Sequence, residues 1–203
     1  MRSALQSCDA QRMKDVLVAY ASKHGSTAEI ACRIAETLSR SGLSVDCREV
    51  SQVGATQAYE AVVLGSAVYL GRWRAEARHF LRVHRKALAE QSLWVFSSGP
   101  VGPDTLSLDS PLARPRRTGR AVERLGAREH IVFGGSLPAQ PDGRIAQAMV
   151  RRTTPEQRDR RDWEQIHAWA LHIAQQLDAR PGAHAARRRS TLLREPARPI
   201  AGS

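Results

Sequence analysis

The sequence predicts a three-layer α/β domain, a parallel sheet with helices on both faces. Short apolar runs without polar alternation recur (VLVAYA at 16–21, VVLGSA at 62–67, LWVF at 93–96), as strands covered on both sides require. Between them lie segments with apolar residues three or four apart, the mark of helices that bury a single stripe. Strands that alternate with helices in this way pair in parallel through crossover connections.

The first strand spans Asp15–Ala21. Thr27–Arg40 follows as a helix, with Ile30, Ile34 and Leu38 four apart beside Ala31 and Ala35, and ends at Ser41-Gly42. Leu43–Val50 alternates apolar and polar residues through Val45 and Cys47, the pattern of an edge or half-covered strand. Tyr59–Ala67 is a second fully buried strand, and Arg74–Leu88 is helical by Ala77, Phe80, Leu81 and Leu88. Gln91–Ser98 is the third central strand, stopped by Gly99-Pro100. Residues 101–111 read as loop and Leu112–Leu125 as a short, very basic helix. Glu129–Gly134 is the last strand, closed by Gly135. Residues 138–160 lack periodicity, and Asp162–Leu177 returns to a helix with Trp163, Ile166, Ala170, Ile173 and Leu177 on one face.

The 203 residues therefore divide into a flexible arm at 1–13, one domain at 14–178 and a basic, disordered tail at 179–203. Met13 stands just before the first strand, so the arm is either loose or upstream of the true start. A net charge of +11, mostly arginine, points to an anionic partner: nucleic acid, a membrane surface or an acidic protein. No nucleic-acid motif stands in the chain, so nucleic acid is the least expected of the three. Cys8, Cys32 and Cys47 form no C-x-x-C pair, which argues against a disulfide framework or zinc and suits a reducing cytoplasm. Neither a signal-peptide core nor a membrane-length apolar stretch is evident.

Where the first strand meets the first helix, the chain switches to Ser22-Lys23-His24-Gly25-Ser26-Thr27. In a doubly wound sheet, ligands sit beyond the carboxyl ends of the strands. Unpaired amides at a helix start favour an anion, Gly25 lets the backbone approach it, and the hydroxyls add donors. Neither the Walker A pattern nor G-x-G-x-x-G is present. Alone, the stretch is equally well read as an N-cap supplied by Ser26 or Thr27. Two further small-residue loops favour a ligand: GSAVYLGRW at 65–73 and SSGPVG at 97–102, both expected at the same sheet edge.

At these residues the chain resembles the flavodoxin family. The family's phosphate loop, T/S-x-T-G-x-T, stands here as Ser22–Thr27, with His24 where a threonine is usual. A closer likeness, carried by YASKHGST, LGSAVYLGRW, FSSGP, IVFGGSL and RRDWEQIHAWA, is to the flavodoxin-domain branch that includes menaquinone-dependent protoporphyrinogen IX dehydrogenase. The resemblance covers residues 15–178 and implies a five-stranded sheet in order 2-1-3-4-5, with FMN as cofactor. It implies that Ser22, Lys23, His24, Gly25, Ser26 and Thr27 surround the FMN phosphate. Ala67, Val68, Tyr69, Leu70 and Gly71 would face the flavin ring, with Tyr69 a stacking partner. Ser97, Ser98 and Gly99 would line its other side, while Trp73 is either a further flavin contact or core.

The expected function is an FMN-dependent oxidoreductase, passing electrons or hydride from a reduced substrate to a quinone or a protein acceptor. Protoporphyrinogen IX is the sharper substrate expectation, and a plain electron carrier the blander role. No catalytic acid or base stands out, and a cofactor that carries the chemistry needs none. The expected setting is cytoplasmic, with peripheral contact to the inner face of a membrane through basic regions. Arg114, Arg116, Arg117 and Arg120 either steer an anionic substrate or form a solvated helix face. The competing reading is a binding module of the same fold that lacks FMN and uses its basic surface to hold an anionic partner. Pairs His79/His84 and His167/His172 are five apart, on different helix faces, so no metal site is expected.

Overall fold

A computed structural model describes residues 14–69, 71–99 and 116–178. The elements run β1 (Lys14–Ala21), α1 (Ser26–Arg40), β2 (Val45–Glu49), β3 (Tyr59–Tyr69), β4 (Arg72–Trp73), α2 (Ala75–Val83), α3 (Arg85–Glu90), β5 (Ser92–Ser98), α4 (Arg116–Arg124), β6 (Glu129–Phe133), α5 (Arg144–Val150), α6 (Pro155–Arg158) and α7 (Trp163–Asp178). The main sheet is parallel in order β2-β1-β3-β5-β6, which is 2-1-3-4-5 once the two-residue β4 is set aside. The expected loop at 101–111, Leu70, Arg114 and both terminal segments lie outside the described residues.

Strand alternation divides the core into two layers. Val16, Val18, Ala61, Val63, Trp94 and Phe96 point to one face and pack on Ile30, Ile34 and Leu38 of α1 and Ile166, Ala170 and Ile173 of α7. Leu17, Ala19, Val62, Leu64, Leu93 and Val95 point to the other, against Phe80, Leu81, Leu88, Val122 and Leu125. Phe96, Phe133 and Trp169 meet at centroid distances of 5.6–6.2 Å, edge-on or tilted, pairs that contribute about 0.5–1.5 kcal/mol each beyond burial. Gly65 makes room for this cluster, since a Cβ there would fall 2.0 Å from the Phe96 ring.

Three local features differ from the sequence expectation. Helix 74–88 is two helices, broken at His84, whose φ of −92° and ψ of 12° cap one and open the next. β3 runs two residues past Ala67, and its chain turns back through Gly71 (φ 68°) to pair Val68 with Trp73 and Tyr69 with Arg72. The stretch at 138–160 contains two short helices, the second opened by a capping box between Thr154 and Gln157.

Candidate functional site

Register puts the carboxyl ends of the central strands level: Ala21 pairs with Ser66, Ser66 with Ser97, and Ala67 with Ser98. The loops that leave them therefore start side by side. His24 meets the Tyr69 ring edge-on at 6.1 Å, and the Lys23 ammonium lies over the same ring at 5.6 Å. On the far side, Gly99 lies against β3, where a Cβ would come 3.6 Å from the Val68 carbonyl. The turns at 22–27, 67–71 and 97–99 thus share one edge. A fourth loop joins them: a Cβ on Gly143 would lie 3.5 Å from the Lys23 ammonium, and the Ser136 amide donates to Ser26 Oγ at 2.9 Å.

The start of α1 is open. Gly25 takes the N-cap position at φ 90°, a left-handed backbone that only glycine adopts without strain, and no side chain caps the helix. Ser22 Oγ accepts from the Gly25 amide at 3.1 Å and shapes the turn. Thr27 is 1% exposed, and its hydroxyl has no hydrogen-bond partner. Such a group costs free energy unless something else bonds it. Six buried side-chain polar atoms are unpartnered among the described residues, and three of them, His24 Nε2, Thr27 Oγ1 and Arg74 Nε, stand at this edge. The others belong to Thr56, Gln91 and Trp94, toward the amino ends of β3 and β5.

The electrostatics are positive. Burial first, then the Lys23 charge, holds the His24 imidazole below its ordinary pKa, so it is neutral at pH 7. Arg74 adds a cationic field felt by both His24 and Tyr69. Burial pushes the Tyr69 phenol up, keeping it protonated while its ring stays 36% exposed at the mouth. Arg74 went unnoticed in the sequence because nothing in GRWRAE tells which arginine the hairpin turns inward.

Not every expected residue presents its side chain to the cleft. Ser97 is fully buried, its hydroxyl taking the Trp73 indole N–H at 2.8 Å and meeting His130 Nε2 at 2.9 Å. Trp73, 1% exposed, is core. The Gly99 amide donates to the Phe133 carbonyl at 3.0 Å, so it ties β5 to β6. Ala67 and Ser98 are buried at the strand ends, Val68 is partly exposed, and Gly71 forms the hairpin turn.

A flavodoxin-domain family model matches residues 17–140, more than half of the chain. The chain belongs to the flavodoxin-domain family. Its fold is similar to that of oxidised flavodoxin 2 from Bacillus cereus, at 21% identity over 80% of this chain and 99% of that one, with a TM-score of 0.53. A flavodoxin from Pseudomonas aeruginosa, solved with one cysteine replaced by serine, is similar at 16% identity over 81% and 99%, with a TM-score of 0.52. Rubredoxin oxygen:oxidoreductase from Desulfovibrio gigas is similar at 15% identity over 82% of this chain but 37% of that longer one, with a TM-score of 0.54. These likenesses carry the fold. No functionally curated protein matches the chain. Flavodoxin-family members bind FMN, and flavin-based electron transfer is the role that the family suggests. No helix among the described residues is long and apolar enough to cross a membrane.

Proposed function

We propose that this flavodoxin-domain protein binds FMN in the cleft at the carboxyl edge of its sheet and acts as an oxidoreductase. The observation that carries the reading is the open start of α1, with a buried Thr27 hydroxyl that has no partner, beside two other loops of the same edge. The donor set fits a phosphate: first-turn amides, three hydroxyls, of which Thr27's has no partner in the chain, and the Lys23 ammonium favour a dianion. Ser22, Gly25, Ser26 and Thr27 would hold the phosphate, with Lys23 and neutral His24 at its flank. Tyr69 would pack on the flavin ring, with Val68, Gly71 and the Ser98–Gly99 backbone beside it.

Bound FMN supplies the electron or hydride chemistry. The chain's part is to orient the ring, shield it and set the local charge. Lys23, with Arg74 beside it although paired to Glu76, puts cations at this edge, which favours anionic substrates. That charge, with the +11 of the whole chain, supports an anionic substrate such as protoporphyrinogen IX and a menaquinone or redox-protein acceptor. It also supports peripheral contact with an anionic membrane surface. Both extensions rest on the branch resemblance and on charge.

Titrating the purified protein with FMN tests the reading. One equivalent is expected to be taken up with quenched flavin fluorescence and shifted visible bands. A protein that stays colourless and leaves FMN free sinks the flavin reading and favours the binding module. With flavin bound, protoporphyrinogen and a menaquinone analogue then separate dehydrogenase from carrier. The dehydrogenase extension fails if the flavin is not reduced by the tetrapyrrole.

A further inference from the structure

We propose a second binding site, for a small amphipathic anion with an apolar body and at least one carboxylate, in the groove between α2, α3 and α4. The groove has a volume of about 660 Å³, within the roughly 300–1,000 Å³ of small-molecule sites. Its floor is apolar, formed by Leu81, Ala121 and Leu125. Five cations rim it: Arg78, Arg82, Arg85, Lys86 and Arg124. Glu90 is the lone acid of the lining. None of its residues belongs to the flavin cleft, so the proposal stands whether or not FMN binds.

The spacing is what builds it. Arg78, Arg82, Arg85 or Lys86, and Ala89 recur three or four apart, and the stripe continues across the break at His84. Thr118 and Ala121 on α4, with Leu125 just past its end, make the facing stripe. Like charges four apart on α2, Arg78 with Arg82, work against that helix. Among the described residues no ion pair holds Arg82, Arg85, Lys86 or Arg124, though Arg82 meets His79 Nδ1 at 2.9 Å; the groove therefore presents an excess of positive charge that suits an anion. Charge complementarity also rejects other occupants. The terminal segment with RRRST at 187–191 brings more arginine, and a second copy brings the same cations.

Equilibrium dialysis with 1-pyrenebutyrate, a flat apolar carboxylate, tests the site on the full chain with FMN in saturating excess, and again without FMN. Saturable one-to-one binding is expected in both, at least tenfold tighter than for neutral 1-pyrenebutanol. The R82E/K86E variant should bind at least tenfold more weakly, while R151E/R152E, on an exposed turn, should bind as before. A121W, which fills the groove without changing charge, should abolish binding, and circular dichroism verifies that each variant is folded. The proposal is overturned if 1-pyrenebutanol binds equally well or R151E/R152E loses as much as R82E/K86E. It is equally overturned if A121W binds unchanged, if binding is seen without FMN only, or if the carboxylate fails to bind while phosphatidylglycerol vesicles do.

Discussion

Four helix starts in this molecule can be compared, and they differ in how their first-turn amides are met. At α2 the Glu76 carboxylate accepts its own backbone N–H and pairs with Arg74, which holds its pKa below the usual carboxylate range. At α6 Thr154 and Gln157 close a capping box, and at α7 Asp162 takes the Gln165 amide at 2.9 Å. At α6 and α7 a side chain caps the helix; at α2 none does, and Glu76 takes only its own amide. At α1 the nearest acid, Glu29, is drawn to Arg161, and glycine caps the helix without a side chain. A start left open, in contact with two other loops, is suited to an outside anion. The difference gives the proposed phosphate turn a signature that the α6 and α7 starts lack: glycine at the N-cap and a buried hydroxyl with no partner.

Closing the turn by strain breaks the comparison most severely. Gly25→Val forces a β-branched residue to φ 90°, and losing the aligned donors is expected to cost about 3 kcal/mol of FMN affinity, on the order of a hundredfold. A fluorescence titration reads this directly. Ser97→Ala acts on the structural side: it strands the Trp73 N–H, and urea denaturation should show a loss of about 1–3 kcal/mol. FMN affinity should change less than about threefold, because only backbone at Ser97 is free to reach the cleft.

Arg161→Gln sharpens the contrast. Glu29, released from its ion pair, can turn to the α1 amides and compete with the phosphate. A helix-terminal charge is worth roughly 0.3–1 kcal/mol, so calorimetry should find FMN held about two- to fivefold less tightly. The smallest effect concerns the helix break. Burial, then His79, lowers the His84 pKa from 6.5, so below that pH the unfolded chain binds more protons than the folded one. Stability without FMN should therefore fall as pH drops from about 7 to 5, and His84→Gln should flatten that limb of a thermal melt.

Much of this was legible in the chain. Buried strands announce themselves by unbroken apolar runs, and the switch from VLVAYA to SKHGST marks the turn from strand to helix because the two chemistries meet without a linker. What was not legible depended on partners distant in sequence. Ser97 looks like a cleft hydroxyl until Trp73 and His130 claim it. The break at His84 has no glycine or proline to signal it, only the packing of its ring on Phe80 at 4.4 Å. Arg74 and the Gly143 loop reach the site through a two-residue hairpin and a stretch without periodicity, both set by tertiary contacts.

The most direct measurement is Thr27→Val, which keeps shape and removes only the unpartnered hydroxyl. Paired melts and FMN titrations should move in opposite senses. Without FMN the variant should be as stable as the parent or slightly more so, while FMN should bind about tenfold more weakly, as expected for one lost hydrogen bond to a charged group. Unchanged FMN affinity, or a loss of more than about 1 kcal/mol in the FMN-free protein, would contradict the assignment of that hydroxyl to the phosphate.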